Sequence, residues 1–296
     1  MTTGAAIVTD GLGKSFGEVR ALQDLTLRVE PGEVFGFLGP NGAGKTTTIR
    51  LLLGLLASTR GSATVLGAPV RVGGGPWRAD VGYLPGEVSF WPSLTGRETL
   101  AFLARLARRP AVDGADLLSR LGLGEDDLRR RVRTLSDGMK QKLGLVQALQ
   151  CRPRLVLLDE PTKGLDPLVQ QTFYDVVAEA RGRGTTVFVS SHVLSEVERL
   201  CDRVAMLRAG KLVFAGDVAQ LQRAQRRRVT AAFAGDVDAT ALEHFGAVVE
   251  RTPRQLTLLV AQTELPALVA RLGMLPLADL VVEAPSLEEA FLEHYR

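Results

Sequence analysis

The chain has 296 residues, 46% of them hydrophobic, which is enough for two domains and a normal buried core. Its formal net charge is only +3, a balance that does not point to a nucleic-acid partner. Two cysteines, Cys151 and Cys201, lie far apart with no Cys-x-x-Cys pair, so neither a disulfide framework nor a zinc site is expected.

In chain order, the opening "MTTGAAIVTD" lacks a basic segment followed by an apolar one, so no signal peptide is expected. "LTLRVEPGE" alternates and ends in Pro31-Gly32, a strand and a turn, predicting an antiparallel β portion early in the chain. "VFGFL" at 34–38, "RLVLLDE" at 154–160 and "TTVFVSS" at 185–191 are short apolar runs, as expected of strands buried on both faces. Each is followed by a turn and a helical segment, which predicts a largely parallel core sheet. The apolar stretch "LLLGLLA" falls far short of the roughly 18 residues of a membrane span. Any work across a membrane would need a partner to cross it.

From 95 to 150 the pattern is helical. Thr95 followed by Glu98 is a capping box, and "DGADLLSRLGL" and "DGMKQKLGLVQALQ" continue the helical region. The polar run "QLQRAQRRR" at 220–228 marks a boundary, giving domains 1–222 and 223–296. Beyond it the pattern predicts a strand, the helix "ATALEHF", a hairpin, a helix, a strand and a final helix "SLEEAFLEHY" capped by Ser286 and Glu289. That order suggests a small ferredoxin-like appendage. The basic clusters Arg129, Arg130, Arg131, Arg133 and Arg226, Arg227, Arg228 are expected on solvated helix faces or linkers, with a lipid or partner contact as the alternative.

The chemistry starts at residues 39–46, which fit G-x-x-x-x-G-K-[ST] between a strand and a helix. Gly39, Gly42 and Gly44 let amide N–H groups turn inward around a phosphate. Lys45 then reaches the outer phosphates, Thr46 offers its hydroxyl to Mg²⁺, and the helix N-terminus favours negative charge. "LVLLDE" places Asp159 as a metal ligand and Glu160 as the general base for an attacking water.

"GPNGAGKTT", "LSDGMKQ", "LLDEPTKGLD" and "SSH" occur in this order. Together they resemble the Walker A, signature, Walker B with D-loop, and switch-histidine motifs of ATP-binding cassette (ABC) ATPases, over residues 7 to about 220. "YLPGE", "SDGMKQKLGLVQAL" and "GLDPLVQQ" are similar to the ATPase subunits of bacterial multidrug or antibiotic-resistance exporters. The resemblance implies an α/β fold: a P-loop ABC ATPase core with an antiparallel β portion and a helical subdomain. The small α+β ferredoxin-like C-terminal domain completes it.

It also implies roles. ATP and Mg²⁺ are the expected ligands, held by Gly39, Pro40, Asn41, Gly42, Ala43, Gly44, Lys45, Thr46 and Thr47, with Thr46 and Asp159 on the metal. Phe16, in "KSFG", matches the aromatic that stacks on adenine. Ser136 and Gly138 match signature positions that meet ATP held by a second subunit, expected to be a copy of this chain. Asp166 matches the D-loop acid and can cap the helix opened by Pro167. His192 matches the switch histidine, so Glu160 and His192 are the expected catalytic pair. A separate membrane permease is the implied partner, which would place the chain at the cytoplasmic face of the membrane. No nucleic acid is expected.

The chain departs from the pattern in two places. Gly86, followed by Glu87, replaces the usual glutamine after "YLP". Asp137 replaces a glycine and Met139 a glutamine in the signature, and Asp137 is expected to point away from the nucleotide. Phe90 and Trp91 are either core residues or the lining of a groove for the permease. The reading is an ATPase that powers export of drugs or other hydrophobic compounds. The alternative is a soluble ABC ATPase that remodels ribosomes or DNA.

Overall fold

The structure, a computed structural model, describes residues 4–219 and 226–283. The chain separates into two compact units, Met1–Ala215 and Gly216–Arg296.

In the first unit, β1 (Ile7–Phe16) and β2 (Val19–Val29) form an antiparallel pair, and β4 (Arg60–Val65) and β5 (Ala68–Pro69) extend it. This is the antiparallel portion expected from the alternating "LTLRV" stretch. The core strands are β3 (Val34–Leu38), β6 (Val81–Leu84), β7 (Leu155–Asp159), β8 (Thr186–Ser191) and β9 (Arg203–Arg208). With β10 (Lys211–Asp217) they join one sheet in the order β5-β4-β1-β2-β10-β9-β3-β8-β7-β6. Every residue of β3, β7 and β8 is buried, as continuous apolar runs require when both faces are covered. Phe188 lies between Phe35 and Phe37, with ring centroids 5.8 and 5.2 Å apart. Burying each such ring contributes about 1.5–3 kcal/mol, so β3 and β8 are held firmly side by side.

That pairing sets the site. In parallel register Leu38 lies opposite Ser191, and Asp159 opposite Ser190. The carboxyl ends of β3, β8 and β7 therefore finish at one level, where open α/β sheets bind ligands. The connections are α1 (Lys45–Leu52) after β3, α6 (Pro167–Gly182) after β7 and α7 (Leu194–Leu200) after β8.

The helical region contains α2 (Gly96–Ala107), α3 (Gly114–Arg120), α4 (Glu125–Arg129) and α5 (Asp137–Leu149). The capping box at Thr95 and Glu98 is formed in both directions. Its hydrogen bonds to Thr95 hold the Glu98 carboxyl below the usual carboxylate range.

In the second unit, β11 (Arg226–Phe233), β12 (Gly246–Thr252), β13 (Gln255–Ala261) and β14 (Leu277–Glu283) form an antiparallel sheet in the order β12-β13-β11-β14. This is the ferredoxin-like arrangement, with the helix Leu265–Leu272 packing Leu268 and Leu272 over Val229, Leu256, Leu258 and Val260. Two local expectations change. "ATALEHF" forms a 3₁₀ helix, Thr240–Phe245, because Asp238 starts it at Thr240 and the strand begins again at Gly246. Arg226–Arg228 lie in β11 rather than on a helix or linker. The final helix expected at 286–295 and residues 220–225 of the boundary run lie outside the described residues.

Candidate functional site

The loop at 39–46 leaves β3 and enters α1 with no acidic residue in the helix's first turn. Gly44 caps that helix at φ 109°. There a Cβ would also meet the Ala21 carbonyl at 2.5 Å, so only glycine fits. Pro40, Asn41, Gly42, Ala43, Gly44, Lys45, Thr46 and Thr47 line one cleft of about 200 Å³ with Ala21 and Glu160. Gly39 is buried at the loop's base, and Lys45 Nζ donates to its carbonyl at 2.7 Å.

Lys45 is only 6% exposed, and its Nζ lies 3.1 Å from Glu160 Oε1. That contact is charge to charge: Oε1 is buried with no aligned hydrogen-bond donor. A carboxylate held between Lys45 and His192 at the edge of a glycine-rich loop can accept a proton from a water beside a bound phosphate. Glu160 Oε2 lies 2.6 Å from His192 Nδ1. Glu160 itself has φ 51°, a left-handed turn that carries it off the end of β7. Its amide donates to both the carbonyl and the hydroxyl of Ser190.

Asp159 is fully buried. Its Oδ2 accepts from Thr46 Oγ1 at 2.7 Å, and its Oδ1 accepts from Ser190 Oγ. A hydroxyl and a carboxylate are hard oxygen donors suited to Mg²⁺, which usually takes one or two protein ligands and completes its shell with phosphate and water. Among the described residues no three His, Cys, Asp or Glu side chains group as a protein-only metal cage, so the residues present fit a metal that arrives with phosphate. Tyr83, on β6, has its phenol pushed up by burial first and by Asp159 second, with Arg50 opposing.

The other expected residues sit as follows. Phe16 ends β1 half exposed, with Lys14 Nζ 4.9 Å above its ring. Asp166 caps α6 by accepting from Val169 N, with Pro167 as the first helical residue. Ser136 caps α5 by accepting from Met139 N at 3.2 Å, and Gly138 packs against the Gly164 carbonyl. Ser136 and Gly138 do not line the cleft around Lys45. Asp137 is fully exposed and pairs with Lys140 at 3.0 Å.

Gly86 is placed where its composition matters: a Cβ there would stand 3.2 Å from Asp159 Oδ2. Trp91 is half exposed and stacks edge-on against Phe102 at 5.1 Å. Phe90, Trp91, Leu103 and Leu106 line a cavity of about 720 Å³ away from the phosphate chemistry. Cys201 is buried, Cys151 is half buried, and both thiols are free.

Sequence reasoning passed over three residues. Ser190 holds both Asp159 and the Glu160 amide; its signal was its place in "SSH". Gln141, 5% exposed, donates to the Pro161 carbonyl at 2.9 Å and so ties α5 to the turn after Glu160. Glu196 accepts from Thr162 and Ser191 and had no signal in one sequence.

Residues 22–163 match a family model described as ABC transporter, and residues 225–283 match one described as EvrA-like ABC transporter, C-terminal domain. The bacitracin transport ATP-binding protein BcrA of Bacillus licheniformis is 38% identical over 211 residues, covering 70% of this chain and 68% of that protein. The Nod factor export ATP-binding protein I of Paraburkholderia xenovorans is 34% identical over 264 residues, covering 88% and 83%. A solved structure described as an ATP binding subunit of ABC transporter superposes with a TM-score of 0.68 at 30% identity, covering 74% of this chain and 92% of that one. The chain spans 58%, 66% and 63% of the lengths of three further curated relatives.

Proposed function

The chain belongs to the ABC transporter family of ATP-binding proteins, and from that premise we propose that it hydrolyses ATP to drive a separate membrane permease. The observation that carries the reading is the convergence of Lys45, Thr46, Asp159, Glu160 and His192 at the ends of three neighbouring parallel strands. We read residues 1–222 as the ATPase domain and 223–296 as an accessory domain.

Loop amides of residues 39–47 and the Lys45 ammonium bind the phosphates, and Phe16 stacks on the adenine. Thr46 and Asp159 hold Mg²⁺, which when bound neutralises charge on the phosphates. Glu160 takes the proton of the attacking water, and its place at the end of β7, between Lys45 and His192 and beside the phosphate loop, supports that assignment. His192, hydrogen-bonded to Oε2, orients the base and faces the outer phosphate. Ser136 and Gly138 complete the site of a second copy across a dimer, with Asp166 at the seam. The exposure of Ser136 at a helix N-terminus, outside its own chain's cleft, favours this.

No helix among the described residues is long and apolar enough to cross a membrane. We read the cavity lined by Phe90 and Trp91 as the permease contact, which would set the chain at the cytoplasmic face of the membrane; the half-exposed Trp91 ring supports this. The names of the bacitracin and Nod factor relatives support export of a drug or another hydrophobic compound.

Glu160→Gln tests the core of this reading. The amide keeps the shape and loses the base, so turnover should fall roughly 10²–10⁴-fold, about 3–5 kcal/mol of barrier, while nucleotide binding persists. Near-normal hydrolysis would remove Glu160 as the base. Co-purification with a polytopic membrane protein tests the transport part.

A further inference from the structure

Two functional loops are joined by a carboxylate that belongs to neither. Glu196, on α7, uses its two oxygens separately. Oε1 accepts from Thr162 Oγ1 at 2.5 Å, and Oε2 accepts from Ser191 Oγ at 2.6 Å. Thr162 lies two residues after Glu160, and Ser191 lies directly before His192. Both hydroxyls are buried, with Thr162 at 6% exposure and Ser191 at 0%. Buried hydroxyls require partners, and here one side chain supplies both.

The carboxylate is itself mounted on a rigid support. α7 lies so close to β3 that a Cβ on Gly36 would meet Val197 Cγ1 at 2.7 Å. Val197 is 1% exposed. Arg199, on the same helix, hydrogen-bonds Gln171 of α6 and lies 4.8 Å over the Tyr174 ring. Glu196 is therefore referenced to β3, the strand that delivers the phosphate loop, and to α6.

We propose that Glu196 is a positioning residue for hydrolysis: through Thr162 and Ser191 it fixes the Glu160 and His192 loops relative to each other. This rests on the reading of Glu160 as the base and His192 as its partner. The Glu160–His192 contact is a hydrogen bond at the surface of the site, with His192 half exposed. The Ser191–Glu196–Thr162 brace joins a partly buried carboxylate to two buried hydroxyls, where hydrogen bonds to a charged group are stronger than at the open surface. A general base displaced by even a fraction of an ångström loses its alignment with the attacking water.

Glu196→Ala removes both arms. It should lower kcat roughly 10- to 100-fold, the range for a misplaced reacting group, while KM for MgATP stays within about 2-fold. Glu196→Gln can still bridge, accepting from one hydroxyl and donating to the other, and should recover most of the lost rate. Glu196→Asp is one methylene too short to span and should resemble the alanine variant. Thr162→Val cuts one arm without changing the helix, so it serves where the alanine variant fails to fold. Its effect should not add to that of Glu196→Ala, because both break one brace.

A merely structural role would instead lower the melting temperature and active fraction without this split or rescue. The proposal is overturned if folded Glu196→Ala retains its kcat, if glutamine rescues no better than aspartate, or if the Thr162 and Glu196 effects add. A last arm uses the Glu160→Gln background. Adding Glu196→Ala there should cause no further loss, and a further loss would show that Glu196 acts elsewhere. Near-normal turnover of Glu160→Gln alone would defeat the base assignment, and the brace with it. A silent Glu196→Ala beside an inactive Glu160→Gln would defeat only the brace.

Discussion

Gly86→Ala is the smallest change that tests how the turn after β6 meets the proposed metal ligand. An alanine Cβ would stand 3.2 Å from Asp159 Oδ2 and 3.3 Å from its Cγ, inside ordinary contact distance. Asp159 has little freedom to retreat. It is fully buried, with Oδ2 held by Thr46 at 2.7 Å and Oδ1 held by Ser190. The turn or the carboxylate must then give by a few tenths of an ångström. Overpacking by one or a few methylenes costs about 1–3 kcal/mol, and the partly exposed turn places this case at the lower end. Oδ2 is the oxygen assigned to the metal, so a displacement that costs the metal-loaded state about 1 kcal/mol more than the free one is roughly 5-fold in affinity. ATPase activity titrated with Mg²⁺ at saturating ATP should show half-saturation shifted upward by about that factor, with kcat little changed. Gly86→Gln carries the same Cβ, so restoring the glutamine of the resembling pattern should not improve metal use. Half-saturation identical to the parent in both variants would show that the turn yields freely and that the crowding argument is wrong.

Ser136→Arg should leave nucleotide binding by its own loop intact and abolish ATP-dependent dimerisation in the Glu160→Gln background; dimerisation equal to the parent, measured by size exclusion, would refute the contact across the dimer. Trp91→Ala removes a half-exposed ring and its edge-on contact with Phe102, so basal hydrolysis should persist. Permease association should weaken by roughly 2 kcal/mol, as for a buried interfacial aromatic; unchanged assembly and transport would make the groove an idle surface. Asp113 accepts from Arg152 through Nε–H, shared between its two oxygens, and through Nη2, and it lies 3.4 Å from Arg183; these hold its carboxyl below the usual range, the Arg152 hydrogen bond first. A depressed carboxylate stabilises above its unfolded value of about 3.9, and that contribution is lost as pH falls through the lower folded value. Asp113→Asn should therefore melt below the parent at neutral pH and converge with it in strong acid; a gap independent of pH would refute the ion-pair account.

Much of this molecule is legible along the chain. The burial of "VFGFL", "LVLLD" and "TVFVSS" follows from their apolar composition, because a strand with no polar side must be covered on both faces. The Thr95–Glu98 cap and the Asp166–Pro167 helix start are contacts within a few residues, so local sequence specifies them. Gly39 to Thr47 are recognisable because one short loop makes the whole phosphate cradle.

What joins distant segments required the tertiary structure. The sheet order places β8 between β3 and β7, although β8 follows both in sequence. That insertion, with its parallel register, brings His192 to Glu160 across 32 residues and Thr46 to Asp159 across 113. The positive φ of Glu160, the approach of Gly86 to Asp159 and the Glu196 brace have no periodic or motif signature. The physical reason is that a sequence pattern reports which face of an element is covered, whereas strand order and register decide which side chains meet there.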